Sequence, residues 1–174
     1  RKLEIRRRAD LQIARMELDE LFEAATVDEK AVPAKVKGLA DLEAAAKGAV
    51  FGGFFCAGQV CCATERVLVD KRVHDDFLAA VVKEADGWRL GDPFDDATLV
   101  GPMNNEPTAQ KMDAHIEDAL AKGAEIVVGG SRASGHPTEL YYQPTVVDGV
   151  GVDTLINRDE TFGPIVPLIT VADD

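Results

Sequence analysis

All 3 cysteines of the chain fall in one short stretch, Phe54-Phe55-Cys56-Ala57-Gly58-Gln59-Val60-Cys61-Cys62-Ala63. A cysteine set just after a glycine turn, and just before a helix or strand, meets two needs of a nucleophile. The turn lets substrate approach closely, and nearby backbone N–H groups can stabilise both a thiolate and an oxyanion. Cys61 is the candidate. The competing reading is a small apolar side chain, buried and inert, which is the ordinary fate of a free cysteine. Zinc fits less well, because the stretch has no C-x-x-C pair and no histidine nearby to complete four ligands.

A second stretch, Glu160-Thr161-Phe162-Gly163-Pro164, precedes an apolar run. Glu160 could accept hydrogen bonds from the vicinal hydroxyls of a sugar, with Phe162 against a planar ring. Equally, Gly163-Pro164 could simply turn the chain while Phe162 packs. The remaining candidates carry less. His74 and His115 fall on the polar sides of predicted helices and His136 in a loop, so all three are expected in solvent. Ser131 and Ser134 lack a nucleophile-elbow pattern. Asp92, Asp95 and Asp96 read as a solvated turn, and Trp88 as the anchor of a helix end.

These residues must be held by regular elements. Leu11, Ala14, Leu18, Leu21, Phe22 and Ala25 recur at three- and four-residue steps and predict an amphipathic first helix. The pattern fails from Val27 to Gly38, where Pro33 and Gly38 predict a linker. A second helix is expected from an Asp41 N-cap through Val50, weakened by Gly52 and Gly53. A compact turn at Ala57-Gly58 and a strand over Arg66–Val69 follow. Val73–Trp88 is helical by pattern, with Val73, Phe77, Leu78, Val81 and Val82 on one side. Asn105 is placed to cap the next helix, which would bury Ala109, Met112, Ile116, Ala119 and Leu120 and end at Gly123. Further strands are expected at Glu125–Val128, Thr145–Val147 and Ile165–Val171. Helices alternating with short apolar strands predict an α/β domain whose sheet is largely parallel and covered by helices.

Taken together, Phe-x-x-x-Gly-Gln-x-Cys and, about a hundred residues later, Glu-Thr-Phe-Gly-Pro resemble the aldehyde dehydrogenase superfamily. Gly91-Asp92-Pro93, Val100-Gly101-Pro102, Lys122-Gly123-Ala124 and Gln143-Pro144-Thr145 are similar to that family too, and the resemblance runs from about Ala40 to Asp174. It implies a catalytic-domain fold over 39–174, following a helical segment and linker over 1–38. It also implies a chemistry. Cys61 would add to an aldehyde as a thiohemiacetal, hydride would pass to NAD or NADP, and water would release a carboxylic acid from the resulting thioester. The backbone N–H of Cys61 would form half of the oxyanion site. Glu160 would bind the nicotinamide ribose, with Phe162 packing beside it, while Gly58 and Gln59 shape the cysteine turn. Cys56 stands where the family commonly has asparagine.

Other family features do not match. Its general base lies in a Glu-Leu-Gly-Gly-Lys motif some thirty-odd residues before the nucleophile. Here that region reads Val27-Asp28-Glu29-Lys30-Ala31-Val32-Pro33, and the role does not transfer to Glu29. The asparagine that completes the oxyanion site and the lysine for the adenosine ribose have no counterpart, and Gly149-Val150-Gly151 lacks the context of a phosphate loop. Arg6-Arg7-Arg8-Ala9-Asp10-Leu11, Glu17-Leu18 and Lys30 are similar to an early helix of the family, joined here near Gly38-Leu39. The expectation is a family member with most of its cofactor domain missing from the middle, and, since Arg1 is not Met, with a start or processed segment missing as well. Two other readings stand beside it: a non-catalytic binding or oligomerisation module of the same fold, and a Cys61-dependent esterase or acyl transferase.

Composition narrows the classes. With 174 residues, 46% hydrophobic and 29% charged, the chain can build one domain core, and disorder is excluded. No apolar run approaches the roughly 18 residues of a membrane span. A net charge of −12 opposes general nucleic-acid binding. The basic tip Arg1, Lys2, Arg6, Arg7 and Arg8 reads as a solvated helix end. An odd cysteine count without a signal peptide suits a reducing cytoplasm. The expected partners are a small-molecule aldehyde and further copies of the chain, with no nucleic acid, membrane or metal.

Overall fold

The computed structural model describes residues 31–172, with side chains from Lys37 onward. The expected amphipathic helix and its basic tip lie outside the described residues. The chain forms two compact units, Arg1–Leu42 and Glu43–Asp174. The described part of the first is the opening of helix α1 (Ala31–Phe54), which carries an ion pair between Lys37 and Asp41 at 2.7 Å.

The second unit holds the rest of α1, a short 3-10 turn (Phe55–Gly58), β1 (Val67–Asp70), α2 (His74–Ala85), α3 (Glu106–Ala121), β2 (Glu125–Val128), β3 (Thr145–Asp148), α4 (Leu155–Arg158) and β4 (Ile165–Val171). The strands lie in the order β1-β4-β3-β2. β4 pairs in parallel with both β1 and β3, while β2 closes the sheet antiparallel to β3. The first five residues of β4 are buried, as an apolar strand covered on both faces requires. Ile165 joins the cluster made by Met112, Ile116 and Ala119 of α3 with Tyr142, Val147 and Ile156. Val166, pointing the other way, meets Gly53 of α1. Among the described residues, no helix is long and apolar enough to cross a membrane.

Five local expectations are corrected. From Ala31 the predicted linker is helical, and Asp41 sits inside α1 rather than capping it. Gly52 and Gly53 do not end the helix, which runs to Phe54. A Cβ on Gly52 would stand 2.2 Å from Thr64 Oγ1, and one on Gly53 2.5 Å from Val166 Cγ2, so close packing outweighs the poor helix propensity of glycine. Leu120 is 51% exposed, and His115 takes the inward place at 3%. Trp88 is half-buried, edge-on to Phe54 with ring centroids 5.6 Å apart. The Asn105 cap holds: its Oδ1 accepts the Thr108 N–H at 2.9 Å.

Candidate active site

Helix α1 delivers the cysteine stretch. Phe54, fully buried, anchors the helix end, and the chain then passes through Cys56 (φ 52°), Ala57 (φ 55°) and Gly58 (φ 67°), three successive left-handed residues. Such a run reverses the backbone within a few residues, at a cost for the two that carry a Cβ. Gln59 ties the turn down. Its side-chain amide donates to the Cys56 carbonyl at 3.3 Å, and its Oε1 accepts the Asn104 N–H at 2.7 Å. The Ala63 N–H donates to the Val60 carbonyl at 3.0 Å, which places Cys61 and Cys62 at the two central positions of a tight turn. All three thiols are free and exposed. The buried, inert reading of Cys61 therefore does not hold.

The second stretch lies against the first. A Cβ on Gly58 would sit 1.9 Å from the Gly163 carbonyl oxygen, so the two backbones are in direct contact. Glu65, just beyond the cysteines, accepts the Thr161 N–H at 2.9 Å and the Phe162 N–H at 3.1 Å. Phe162 has φ +58°, a conformation that bulky residues avoid. Arg66 donates to the Asn157 carbonyl at 2.7 Å and to Asn157 Oδ1 at 3.1 Å. The Thr161 hydroxyl, fully buried, meets Nδ1 of His115 at 3.0 Å. Burial holds the His115 pKa below its ordinary value, with the Lys111 charge adding to it. Glu160 is exposed and, among the described residues, makes no hydrogen bond or ion pair.

Phe162 lines a concavity of about 400 Å³ together with Cys56, Gln59, Asn104, Asn105 and Thr108. A neighbouring hollow of about 660 Å³ shares Cys56 and Gln59 and is walled by Met103, Leu140 and Tyr141, among others. Neither Cys61 nor Glu160 is among the lining residues of either. Among the described residues, no three His, Cys, Asp or Glu side chains gather as a metal site needs. The other histidines depart from the solvated expectation as well. His74 is held between Asp75 (2.9 Å) and Asp148 (2.8 Å), and His136 stacks on Tyr141 at 4.3 Å.

Sequence reasoning passed over Glu65 and Asn104 and placed His115 in solvent, where the structure buries it. A glutamate entering a strand and an asparagine in a loop carry no local mark of what they bond. For His115 a signal existed: it falls on the stripe Ala109, Met112, Ile116 and Ala119 at helical spacing.

The fold is an α/β unit with a largely parallel sheet, in which an exposed cysteine turn is pressed against a Glu-Thr-Phe-Gly-Pro strip. The chain belongs to the aldehyde dehydrogenase family, whose sequence profile it matches over residues 32–174. It is similar to vanillin dehydrogenase of Pseudomonas fluorescens, with 40% identity over 126 residues, covering 72% of this chain and 25% of that protein. The crystal structure of succinate-semialdehyde dehydrogenase from Burkholderia pseudomallei superposes with a TM-score of 0.73 at 36% identity, over 76% of this chain and 27% of that one. Betaine aldehyde dehydrogenase from Staphylococcus aureus, solved in complex with NAD+, gives a TM-score of 0.70 at 34% identity, over 76% and 27% of the two chains. The chain thus spans about a quarter of the length of the relatives it matches.

Proposed function

We propose that this chain carries the nucleophile and the nicotinamide-ribose end of an aldehyde dehydrogenase site, acting on a small-molecule aldehyde. The observation that carries the reading is the backbone contact between Gly58 and Gly163, which brings the Cys61 turn and the Glu160–Phe162 strip together. The Cys61 sulfur adds to the aldehyde carbon and holds it as a thiohemiacetal, with the Cys61 N–H offered to the developing oxyanion. NAD or NADP, when bound, supplies the hydride acceptor. The acyl group then stays on Cys61 as a thioester until water releases the carboxylic acid.

The residues present fit one end of that cofactor. Both oxygens of Glu160 are without partners among the described residues and can accept from two vicinal hydroxyls, and Phe162 lines the neighbouring concavity. Exposed, unpaired thiols suit a reducing compartment, so the cytoplasm is the proposed location. Association of copies, or with the rest of a family-length protein, is part of the same proposal.

Treatment with an activated acyl ester tests the nucleophile independently of any cofactor. Mass spectrometry should find a single acyl group on Cys61, and none after Cys61→Ala. Labelling of Cys56 and Cys62 to the same extent as Cys61 would sink the assignment. Aldehyde oxidation with NAD or NADP, followed by NAD(P)H absorbance, is the companion assay, and equal rates with and without Cys61 would count against the dehydrogenase reading.

A further inference from the structure

Glu65 stands four positions after Cys61, at the entrance to β1. Its two carboxylate oxygens are used separately. Oε2 accepts the Thr161 N–H at 2.9 Å and Oε1 the Phe162 N–H at 3.1 Å, across 96 and 97 positions of chain. Two successive amides converging on one anion form a backbone nest, and a carboxylate can serve both at once where a neutral amide side chain has only one acceptor oxygen. Arg66, the next residue, donates its guanidinium to Asn157. Two neighbouring side chains therefore hold the chain on either side of Glu160.

The grip falls where it is needed. Phe162 sits at φ +58°, and an aromatic residue stays in that region only when its surroundings over-determine it. The same Phe162 forms part of the wall of the concavity beside the cysteine turn. Thr161 is buried and adds its hydroxyl contact to His115. The chain on either side of Glu160 is thus held by side-chain contacts, while Glu160 itself has no partner among the described residues.

We infer that Glu65 is the positioning residue of this site: through the nest at Thr161 and Phe162, its carboxylate sets the placement of Glu160 and Phe162 against the cysteine turn for capture of the nicotinamide ribose. The inference rests on the ribose-binding reading of Glu160 given above. Glu65 touches neither the aldehyde nor the cofactor in this role. It acts through the backbone it holds.

The test uses the whole chain with nicotinamide mononucleotide, which carries the ribose in question and no adenosine. Glu65→Gln keeps the side-chain shape but has one acceptor in place of two, and Glu65→Asp keeps the carboxylate at shorter reach. In Glu65→Gln, the Thr161 and Phe162 amide hydrogens should exchange about tenfold faster, and mononucleotide affinity should fall by about tenfold, as expected for loss of a charge-assisted hydrogen bond. Glu65→Asp should fall between that variant and the wild type. Unchanged exchange would overturn the clamp. Faster exchange with unchanged affinity would overturn the positioning role, since a merely structural contact does not move ligand affinity. If Glu65→Gln does not fold by circular dichroism, Glu65→Asp is measured against the wild type, and unaltered affinity there overturns the role. A wild type that binds no mononucleotide removes the ribose reading of Glu160 and this role together, whereas wild-type binding left untouched by the substitutions removes Glu65 alone.

Discussion

Gly58 and Gly163 touch backbone to backbone, and a methyl group on Gly58 would stand 1.9 Å from the Gly163 carbonyl oxygen. This single contact joins two stretches about a hundred residues apart and leaves no space for a side chain between them. It is also why the cysteine turn can be so tight: the partner across it is a glycine carbonyl, not a side chain.

Gly58→Ala should therefore be severe. The new methyl meets backbone that cannot rotate away, and φ +67° is unfavourable for alanine besides. A loss of about 3 kcal/mol in unfolding free energy is expected, with the acyl label on Cys61 reduced in the same protein. Denaturant titration and mass spectrometry check the two outcomes. A variant as stable as the wild type would show that the two stretches are further apart than described.

Cys56 holds φ 52° and ψ 32°, a left-handed conformation that asparagine adopts more readily than cysteine. Its side chain is exposed, so the exchange disturbs no core contact. Cys56→Asn should raise the melting temperature, with a gain of about 0.5–1 kcal/mol. A fall in stability would mean that the thiol makes a contact of its own.

The glycines of α1 should divide by what faces them. Among the described residues nothing lies within 4 Å of a Cβ on Gly48, so Gly48→Ala should stabilise by about 1 kcal/mol through helix propensity alone. Gly53→Ala places the same methyl 2.5 Å from Val166 Cγ2 and 2.9 Å from the Ile165 carbonyl oxygen, and should cost about 2 kcal/mol. Chemical denaturation of the two variants side by side decides it, and equal shifts would contradict the packing of α1 on β4.

Two histidines should tilt the pH profile of stability in opposite directions. Burial, reinforced by the Lys111 charge, lowers the His115 pKa below 6.5, against the smaller pull of Asp159, Glu65 and Asp118. The unfolded chain then takes up its proton first, so the His115 contribution is complete above 6.5 and declines as the pH falls below it. His74 is also disfavoured by burial, but the hydrogen bonds and charges of Asp75 and Asp148 outweigh it and raise its pKa. Its contribution is full below 6.5 and is lost as the pH rises through the folded value. His115→Gln should flatten the acid-side decline, and His74→Gln should remove the loss on the alkaline side. Urea midpoints measured from about pH 5 to 8 resolve the two. Parallel curves for the wild type and both variants would refute the assignment.

Much of the fold follows from local patterns. β4 stands out through its apolar run over 165–169, α2 and α3 show their periodicity, Asn105 announces the start of α3, and Gly123 (φ +90°) its end. The failures have one cause. Gly52 and Gly53 read as weakening the helix because propensity counts only the cost of glycine, whereas Thr64 and Val166 need the space. Leu120 reads as core by hydrophobicity alone, but the turn of α3 puts His115 inward and Leu120 at the rim.

The site divides in the same way. Sequence alone determined the chemistry on offer, because a cysteine after a glycine turn and a Glu-Thr-Phe-Gly-Pro strip are local features, carried by residue type and spacing. Only tertiary structure decided that Cys61 is exposed, that the strip lies on the cysteine turn, and that Glu65 and His115 hold it there. A hydrogen-bonding side chain selects its partner by which groups come within about 3 Å, and that distance is set by the packing of α1 and α3 on the two faces of the sheet.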